Sequence, residues 1–327
     1  MSLATVTDDV AQLRADGSLR HLLTLQGLSR AQLEHLLERA QSFVRPIGTP
    51  PPMSTLLAGA TVANLFTEPS TRTRVSFELA AKRLGAQVVN LEVQLSSRVK
   101  GESMLDTVYT LESLYVDAFV VRDAEAGVPG LVAAHVAPHV SVLSAGEAHV
   151  SHPTQGLLDA LTIAQRKQRF AGLAVAIVGD IRHSRVARSA WHALATLGVS
   201  DLRIAAPAVL MPEAGEFAGC TRHTALDPAL AGADVVMMLR IQKERMGEAD
   251  LPDAAGYFAA WGLTRERLKR ARPDAIVMHP QPMNRGIEIA SEVADGPQSV
   301  IRDQVRNGVA VRMAVLAEAL SARGGGA

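Results

Sequence analysis

Cysteine is almost absent from this chain of 327 residues, where Cys220 stands alone. One thiol closes no internal disulfide and builds no thiolate zinc site, which fits a reducing compartment and makes the cytoplasm the expected location. Net charge is missing as well. Lysine plus arginine balances aspartate plus glutamate at 33 each, so the general electrostatic footprint of a nucleic-acid or anionic-membrane binder is lacking and any basic site is local. Neither nucleic acid nor membrane is expected as a partner. Long apolar runs are lacking too: "LAVAIV" at 173–178 and "VVMML" at 235–239 fall well below the roughly 18 residues of a membrane helix and read as buried strands. The opening "MSLATVTDDVAQLRADG" does not place an apolar stretch after a charged start, so it does not read as a secretory signal. The ten histidines show no H-x-x-x-H spacing with a matching carboxylate, and neither metal nor cofactor is expected.

What is present is apolar mass, 48% of the chain, enough for a full core and for two domains of ordinary size. "SRAQLEHLLERAQSF" opens the folded part, with Ser29 and Gln32 at capping-box spacing and Leu33, Leu36, Leu37, Ala40 and Phe43 on one helical face. Strand-like "TVANLF", "QVVNLEV", "DAFVV" and "VSVLSA" then alternate with helical patterns. The rhythm restarts after "PTQGLLDALTIAQRKQ" with strands "AVAIVGD", "DLRIAA", "DVVMML" and "AIVMH". That alternation predicts an α/β fold of two similar domains, each a parallel sheet flanked by helices, joined by helices and not by a low-complexity linker. A last helix, roughly 300–320, is expected to present Val305, Val309, Met313 and Leu316 on one side before a Gly-rich tail.

"EPSTRTR", Glu68 to Arg74, crowds three hydroxyls and two guanidiniums into five positions directly after a predicted strand. A strand that turns sharply into a helix leaves backbone N–H groups without partners and partial positive charge at the helix start. Ser70, Thr71 and Thr73 add hydroxyl donors, and Arg72 can clamp a phosphate through two parallel hydrogen bonds. Arg74 lies about 200° from Arg72 around the helix and is assigned to structure. Neither G-x-x-x-x-G-K-[ST] nor G-x-G-x-x-G is present, so the phosphate need not belong to a nucleotide. The plain alternative is a capped helix with solvated arginines.

The stretch "FTEPSTRTRVSFELAAKRLGAQVVNL" resembles the carbamoyl-phosphate signature of the aspartate/ornithine carbamoyltransferase family. The resemblance continues through "KGESMLDTV", "HPTQGLLDALTI", "VAIVGDIRHSRVARS", "MMLRIQKERM" and "AIVMHPQPMNRGIEI", covering residues of about 20 to 320. It implies a carbamoyl-phosphate domain over 1–152 with the final helix 301–327, and an aspartate-type acceptor domain over 153–300. It assigns Ser70, Thr71, Arg72, Thr73, Ser96, Lys100, Arg122, His152, Gln155, Gln281 and Pro282 to carbamoyl phosphate. Thr73, Arg122 and His152 would face the carbonyl oxygen and Gln155 the amide. The loop holding Ser96 and Lys100 would reach the neighbouring subunit's site in a homotrimer. Acceptor choice turns on "HPQP" at 279–282, which lacks the cysteine of the ornithine branch's "HCLP" segment. Two carboxylates call for bidentate arginines, and the resemblance to the aspartate branch supplies Arg185 and Arg240, with Gln242 and Lys100. Glu68, Arg74, Lys243, Glu244 and Arg245 would be ion-pair partners that join the domains when substrates bind.

The expected reaction is attack of the α-amine of L-aspartate on carbamoyl phosphate, as in pyrimidine biosynthesis. A dihydroorotase-like chain is the partner that the carboxyl-terminal motifs imply. Some positions depart from the family pattern. Asp123 stands where a histidine commonly follows the arginine, Glu147, Ala148 and Val150 occupy a turn normally rich in glycine, and Gln281 replaces leucine or glycine. The fewer glycines are expected to bear on where His152 sits. Two other readings stay open: a carbamoyltransferase for another acceptor such as ornithine, and a noncatalytic paralogue serving as an assembly module.

Overall fold

The structure, a computed structural model, describes residues 10–92, 103–242 and 253–321. Its backbone falls into two units, Met1–Leu157 with Arg306–Ala327, and Leu158–Val305. Ser96, Lys100, Lys243, Glu244 and Arg245 lie outside the described residues.

In the first unit, helix α1 (Arg30–Phe43) starts at Ser29 with both halves of the capping box formed, and it buries Leu33, Leu36, Leu37, Ala40 and Phe43 as its spacing predicts. Then come β1 (Thr61–Phe66), α2 (Thr71–Arg83), β2 (Gln87–Glu92), α3 (Met104–Ser113), β3 (Ala118–Asp123), α4 (Val128–His135) and β4 (Ser141–Glu147). The strands form one sheet in the order β2-β1-β3-β4, parallel throughout. Parallel strands are usually covered on both faces, and β4 is accordingly apolar or small along most of its length and buried at every position. Leu65, Phe119 and Val121 pack with Val108 and Leu111 of α3 and Val132 of α4.

The second unit begins within α5 (Pro153–Lys167), the helix that also carries the end of the first. It continues with β5 (Ala174–Val178), α6 (Arg185–Thr196), β6 (Asp201–Ala205), β7 (Thr221–His223), α7 (Leu226–Leu230), β8 (Val235–Met238), α8 (Ala254–Trp261), α9 (Arg265–Leu268), β9 (Ile276–Met278) and α10 (Ser291–Ala294). The sheet order is β7-β6-β5-β8-β9, again parallel. Strand β7 was not expected from the sequence. It is three polar residues at a sheet edge, too short and too polar to give an apolar signal. Gly179, directly after β5, has φ +126°, and a Cβ there would meet the Leu239 carbonyl oxygen at 2.5 Å. Only glycine lets β5 and the end of β8 approach this closely.

Helix α11 (Ile301–Ala319) corrects the last stripe expected from the sequence. Met313 and Leu316 are buried, whereas Val305 is 53% exposed and Val309 only partly covered. After Ile301, the inward positions of the first turns, Asp303, Gln304 and Asn307, are polar. Gln304 accepts from the His279 backbone N–H at 2.9 Å and donates to Asp159 at 2.7 Å. Asp303 pairs with Arg166. Buried hydrogen bonding, which hydrophobic spacing does not register, sets the rotation of this helix.

The segment before α1 is tied to β4 through His21, which is fully buried. Its Nδ1 accepts the Val142 N–H at 2.9 Å, flanked by Leu22 N–H to Val142 O at 2.9 Å and Ser144 N–H to Leu22 O at 2.8 Å. Burial, followed by the charges of Arg20 and Arg14, pushes the imidazole down from 6.5 to about 3. Between those values the unfolded chain binds a proton that the folded chain refuses, so this contribution is complete above pH 6.5 and is lost as pH falls. The slope approaches about 1.4 kcal/mol per pH unit. Urea titrations of His21→Gln against wild type between pH 7 and 4 should show a flatter acid dependence in the variant, and parallel curves would refute the assignment.

Candidate active site

Two sets of polar side chains sit at the carboxyl ends of the two sheets, one in each unit. In the first sheet the chain leaves β1 toward β2 on one side, while β3 lies on the other. The carboxyl ends of β1 and β3 therefore flank a topological switch point, the usual ligand position in open parallel sheets. Phe66 is in register with Arg122, so residues 67–73 begin beside that arginine.

Ser70 occupies the N-cap position of α2 with φ −157°, yet its side chain makes no capping bond and the first turn holds no acidic residue. The helix start is thus neither capped by its own hydroxyl nor neutralised by a first-turn carboxylate, which leaves positive potential for an anion. Thr71 and Arg72 are exposed and Thr73 buried. Thr73 shares the inward face of α2 with Phe77, Ala80 and Ala81. Arg74 belongs to another face. Glu78 is held below the usual carboxylate range by hydrogen bonds from Lys82 and Asn90 and, more weakly, by the charge of Arg74.

Arg122 is fixed on two sides: Nε lies 3.2 Å from Glu68 Oε2, and Nη1 donates to the Ala145 carbonyl at 3.2 Å. Glu68 therefore orients a neighbour within its own unit. From β4 the chain reaches His152 and Gln155 at the start of α5, both buried. The turn before them departs from the glycine-rich pattern without losing its closure. Ala148 takes φ +39°, a conformation that costs an alanine about 1 kcal/mol or more. Its N–H donates to the Asp123 carbonyl at 3.0 Å, and Glu147 N–H donates to the Ser151 carbonyl at 2.9 Å. The Glu147 carboxylate accepts the Gly127 N–H at 2.6 Å, and that of Asp123 accepts the Glu125 N–H at 2.9 Å. The two unusual acids brace neighbouring turns.

In the second sheet β5 feeds β6 on one side and β8 lies on the other, a second switch point. Arg185 is the first residue of α6, directly after Ser184, whose hydroxyl accepts the Ala187 N–H at 3.0 Å. Arg240 and Gln242 follow β8. Between the two loops stands Asp180, fully buried and not singled out from the sequence. Its Oδ1 accepts the His183 ring N–H at 2.9 Å and the His183 backbone N–H at 3.2 Å. Its Oδ2 accepts the Gln242 N–H at 3.1 Å, and the Gln242 side chain donates to the His183 carbonyl at 2.9 Å. One carboxylate thus ties the Arg185 loop to the Arg240 loop. An acid at the very end of the predicted strand "AVAIVGD" was the available signal.

Gln281 and Pro282 follow β9, which pairs with β8. They lie in the second unit, whereas Ser70–Thr73, Arg122, His152 and Gln155 lie in the first. Gln281 has φ +58° and a cis bond to Pro282. Its N–H donates to His279 Nδ1 at 2.9 Å, which places the imidazole hydrogen on Nε2, donating to Glu288 at 3.2 Å. The His279–Glu288 pair is entirely buried and positions this loop from behind.

The carbamoyl-P binding domain of aspartate/ornithine carbamoyltransferases matches residues 20–165, and the Asp/Orn binding domain of the same family matches residues 171–319. The chain belongs to the aspartate/ornithine carbamoyltransferase family. Similar solved structures include aspartate transcarbamoylase from Trypanosoma cruzi in complex with N-(phosphonacetyl)-L-aspartic acid, 32% identical over 94% of this chain and 98% of that one, with a TM-score of 0.82. The same enzyme in complex with carbamoyl phosphate is 31% identical over 98% and 99%, with a TM-score of 0.80. Ornithine carbamoyltransferase from Pyrococcus furiosus is 32% identical over 92% and 97%, also with a TM-score of 0.80. A carbamoyltransferase must hold two substrates, and the two domain matches fall on the two sheets. The second match includes α11, whose residues from Arg306 onward fold with the first unit.

Asp180→Ala removes the acceptor shared by the two second-unit loops. It should raise the KM for the amine acceptor about tenfold or more, the scale of a buried charge-assisted hydrogen bond, with a smaller change in the KM for carbamoyl phosphate. Equal changes in both constants would show that Asp180 acts on the fold as a whole.

Proposed function

We propose that this carbamoyltransferase uses L-aspartate as acceptor, giving N-carbamoyl-L-aspartate and phosphate for pyrimidine biosynthesis in the cytoplasm. The observation that carries the choice is the pair Arg185 and Arg240, delivered to the ends of β5 and β8 by loops that Asp180 holds together. Two guanidiniums on adjoining loops suit a dicarboxylic amine, whereas a cationic side chain would meet like charge. The cysteine-free "HPQP" segment supports the same choice. Gln242 joins this set, its side chain already braced on His183.

In this reading the start of α2, with Ser70, Thr71, Arg72 and Thr73, receives the phosphate. Thr73, Arg122 and His152 donate toward the carbamoyl oxygen, Gln155 meets the amide, and the Gln281 and Pro282 loop adds backbone contacts. The amine lone pair forms the new C–N bond, the carbonyl carbon's bond to the phosphate oxygen breaks, and the departing phosphate takes the amine proton. No covalent enzyme intermediate is required. Catalysis then consists of orientation and of stabilising charge on the carbonyl oxygen and leaving group. Ser96 and Lys100 are assigned to a neighbouring subunit's site within a homotrimer, and a dihydroorotase-like chain to the larger assembly. Glu68, Arg74, Lys243, Glu244 and Arg245 keep their proposed part as ion-pair partners in the liganded enzyme.

Ornithine is the alternative acceptor, since ornithine carbamoyltransferases are among the similar structures. Incubation with labelled carbamoyl phosphate and separate acceptors should yield labelled carbamoyl-aspartate, inhibited by a phosphonate–aspartate bisubstrate analogue. Turnover with ornithine and none with aspartate would reverse the assignment. Lys100→Ala and Arg72→Ala should each lose most activity, about a hundredfold or more for a group that stabilises transition-state charge. Mixing the two inactive variants should restore a fraction of it, and no recovery on mixing would remove the shared site.

A further inference from the structure

Arg312, on the inner face of α11, is a cation that the site described above does not use. It is 4% exposed. Its Nη1 donates to the Gly308 carbonyl at 2.9 Å, while Nε has no hydrogen-bond partner among the described residues. Its guanidinium carbon lies 5.0 Å from the centre of the Phe77 ring. Burial alone lowers its pKa, to about 10, and no carboxylate among the described residues acts on it, so the group remains charged at neutral pH. A ring face and one carbonyl are weak compensation for taking a full charge out of water. An apolar residue of similar volume usually serves a core better than a buried cation that lacks its counter-ion.

The place of Phe77 suggests what the charge does. Phe77 stands four residues after Thr73 on the inward face of α2. Helical side chains lean toward the helix N-terminus, so the ring covers the turn that begins at Thr73. The guanidinium above it is then on the order of 10 Å from the first N–H groups of α2. Like charge accumulates there, because the helix start is itself positive and its first turn contains no acid. Arg312, Phe77 and Thr73 are all buried, so salt screens this interaction poorly.

We propose that Arg312 is a buried positioning residue that raises the affinity of the α2 start for a dianionic phosphate, acting through the field behind the helix and not by contact. The proposal rests on reading Ser70–Thr73 as the phosphate site. The helix start and the Arg312 guanidinium are two positive ends, and a dianion relieves both. Arg72 supplies the direct grip, and Arg312 favours the dianion over the monoanion.

The test compares Arg312→Met, Arg312→Lys and Arg72→Ala in the full-length assembled protein, with inorganic phosphate and carbamoyl phosphate as probes. Arg312→Met should weaken phosphate binding and raise the KM for carbamoyl phosphate about tenfold, leave the acceptor KM within about twofold, and unfold at an equal or higher temperature. Arg312→Lys should stay within about threefold of wild type. In phosphorus NMR the bound phosphate should titrate at higher pH in Arg312→Met than in wild type, which a packing defect alone would not produce. If Arg312→Met does not fold, Arg312→Gln must show the same loss of affinity and the same displaced titration. Unchanged phosphate binding in the neutral variant, or equal loss in Arg312→Lys, overturns the proposal. If Arg72→Ala also leaves phosphate affinity unchanged, the α2 site itself is wrong; if it weakens binding while the neutral Arg312 variant does not, only the role of Arg312 falls.

Discussion

The parallel register of β1 with β3 is the constraint on which the first half of this enzyme depends. Phe66 lies opposite Arg122, so the turn into α2 and the end of β3 emerge side by side from one end of the sheet. Antiparallel pairing would send one of them to the opposite end, more than 15 Å away for strands of six residues. With the register in place, an uncapped helix start and a braced arginine share one end of one sheet. The second sheet uses the same device, with loops from β5, β8 and β9 leaving its carboxyl end in neighbouring positions. Order of strands, more than the identity of any one residue, decides which loops become neighbours.

Both sheets gather arginines at their carboxyl ends, while the chain as a whole is neutral. Each cation cluster is accordingly held by buried or half-buried acids placed to one side. Glu68 and the Ala145 carbonyl fix Arg122, and Asp180 holds the backbone of the loops that carry Arg185 and Arg240. Glu288 acts through His279 on the Gln281 loop. Rigid presentation of this kind reduces the reorganisation needed when charge develops on a reacting group. The positions that depart from the family pattern take part in it, since Glu147 and Asp123 satisfy backbone donors that a more flexible turn would leave to water.

Much of the architecture was legible in the chain because its signals are local. Alternating strand and helix periods gave eight of the nine strands among the described residues, and the capping box at Ser29 gave the start of α1 along with its buried face. The turn "EPSTRTR" was legible for the same reason, since donors crowded onto a helix start need no distant partner to be recognised. The edge strand β7 and the rotation of α11 were not. The first has no apolar pattern, and the second is set by Gln304, which binds His279 and Asp159 far away in sequence.

Composition and local pattern by themselves determined the α/β class, the two-part organisation and the donor-rich helix start at Ser70–Thr73, because periodicity, capping and turn chemistry act within a few residues. Tertiary structure alone decided which acid stands beside which arginine, that Asp180 reaches Gln242, 62 residues further on, to join two loops, and that Arg312 is buried against Phe77 without a carboxylate partner among the described residues. Those arrangements depend on long-range packing and on exclusion of water, and neither has a counterpart in the spacing of residues along a chain.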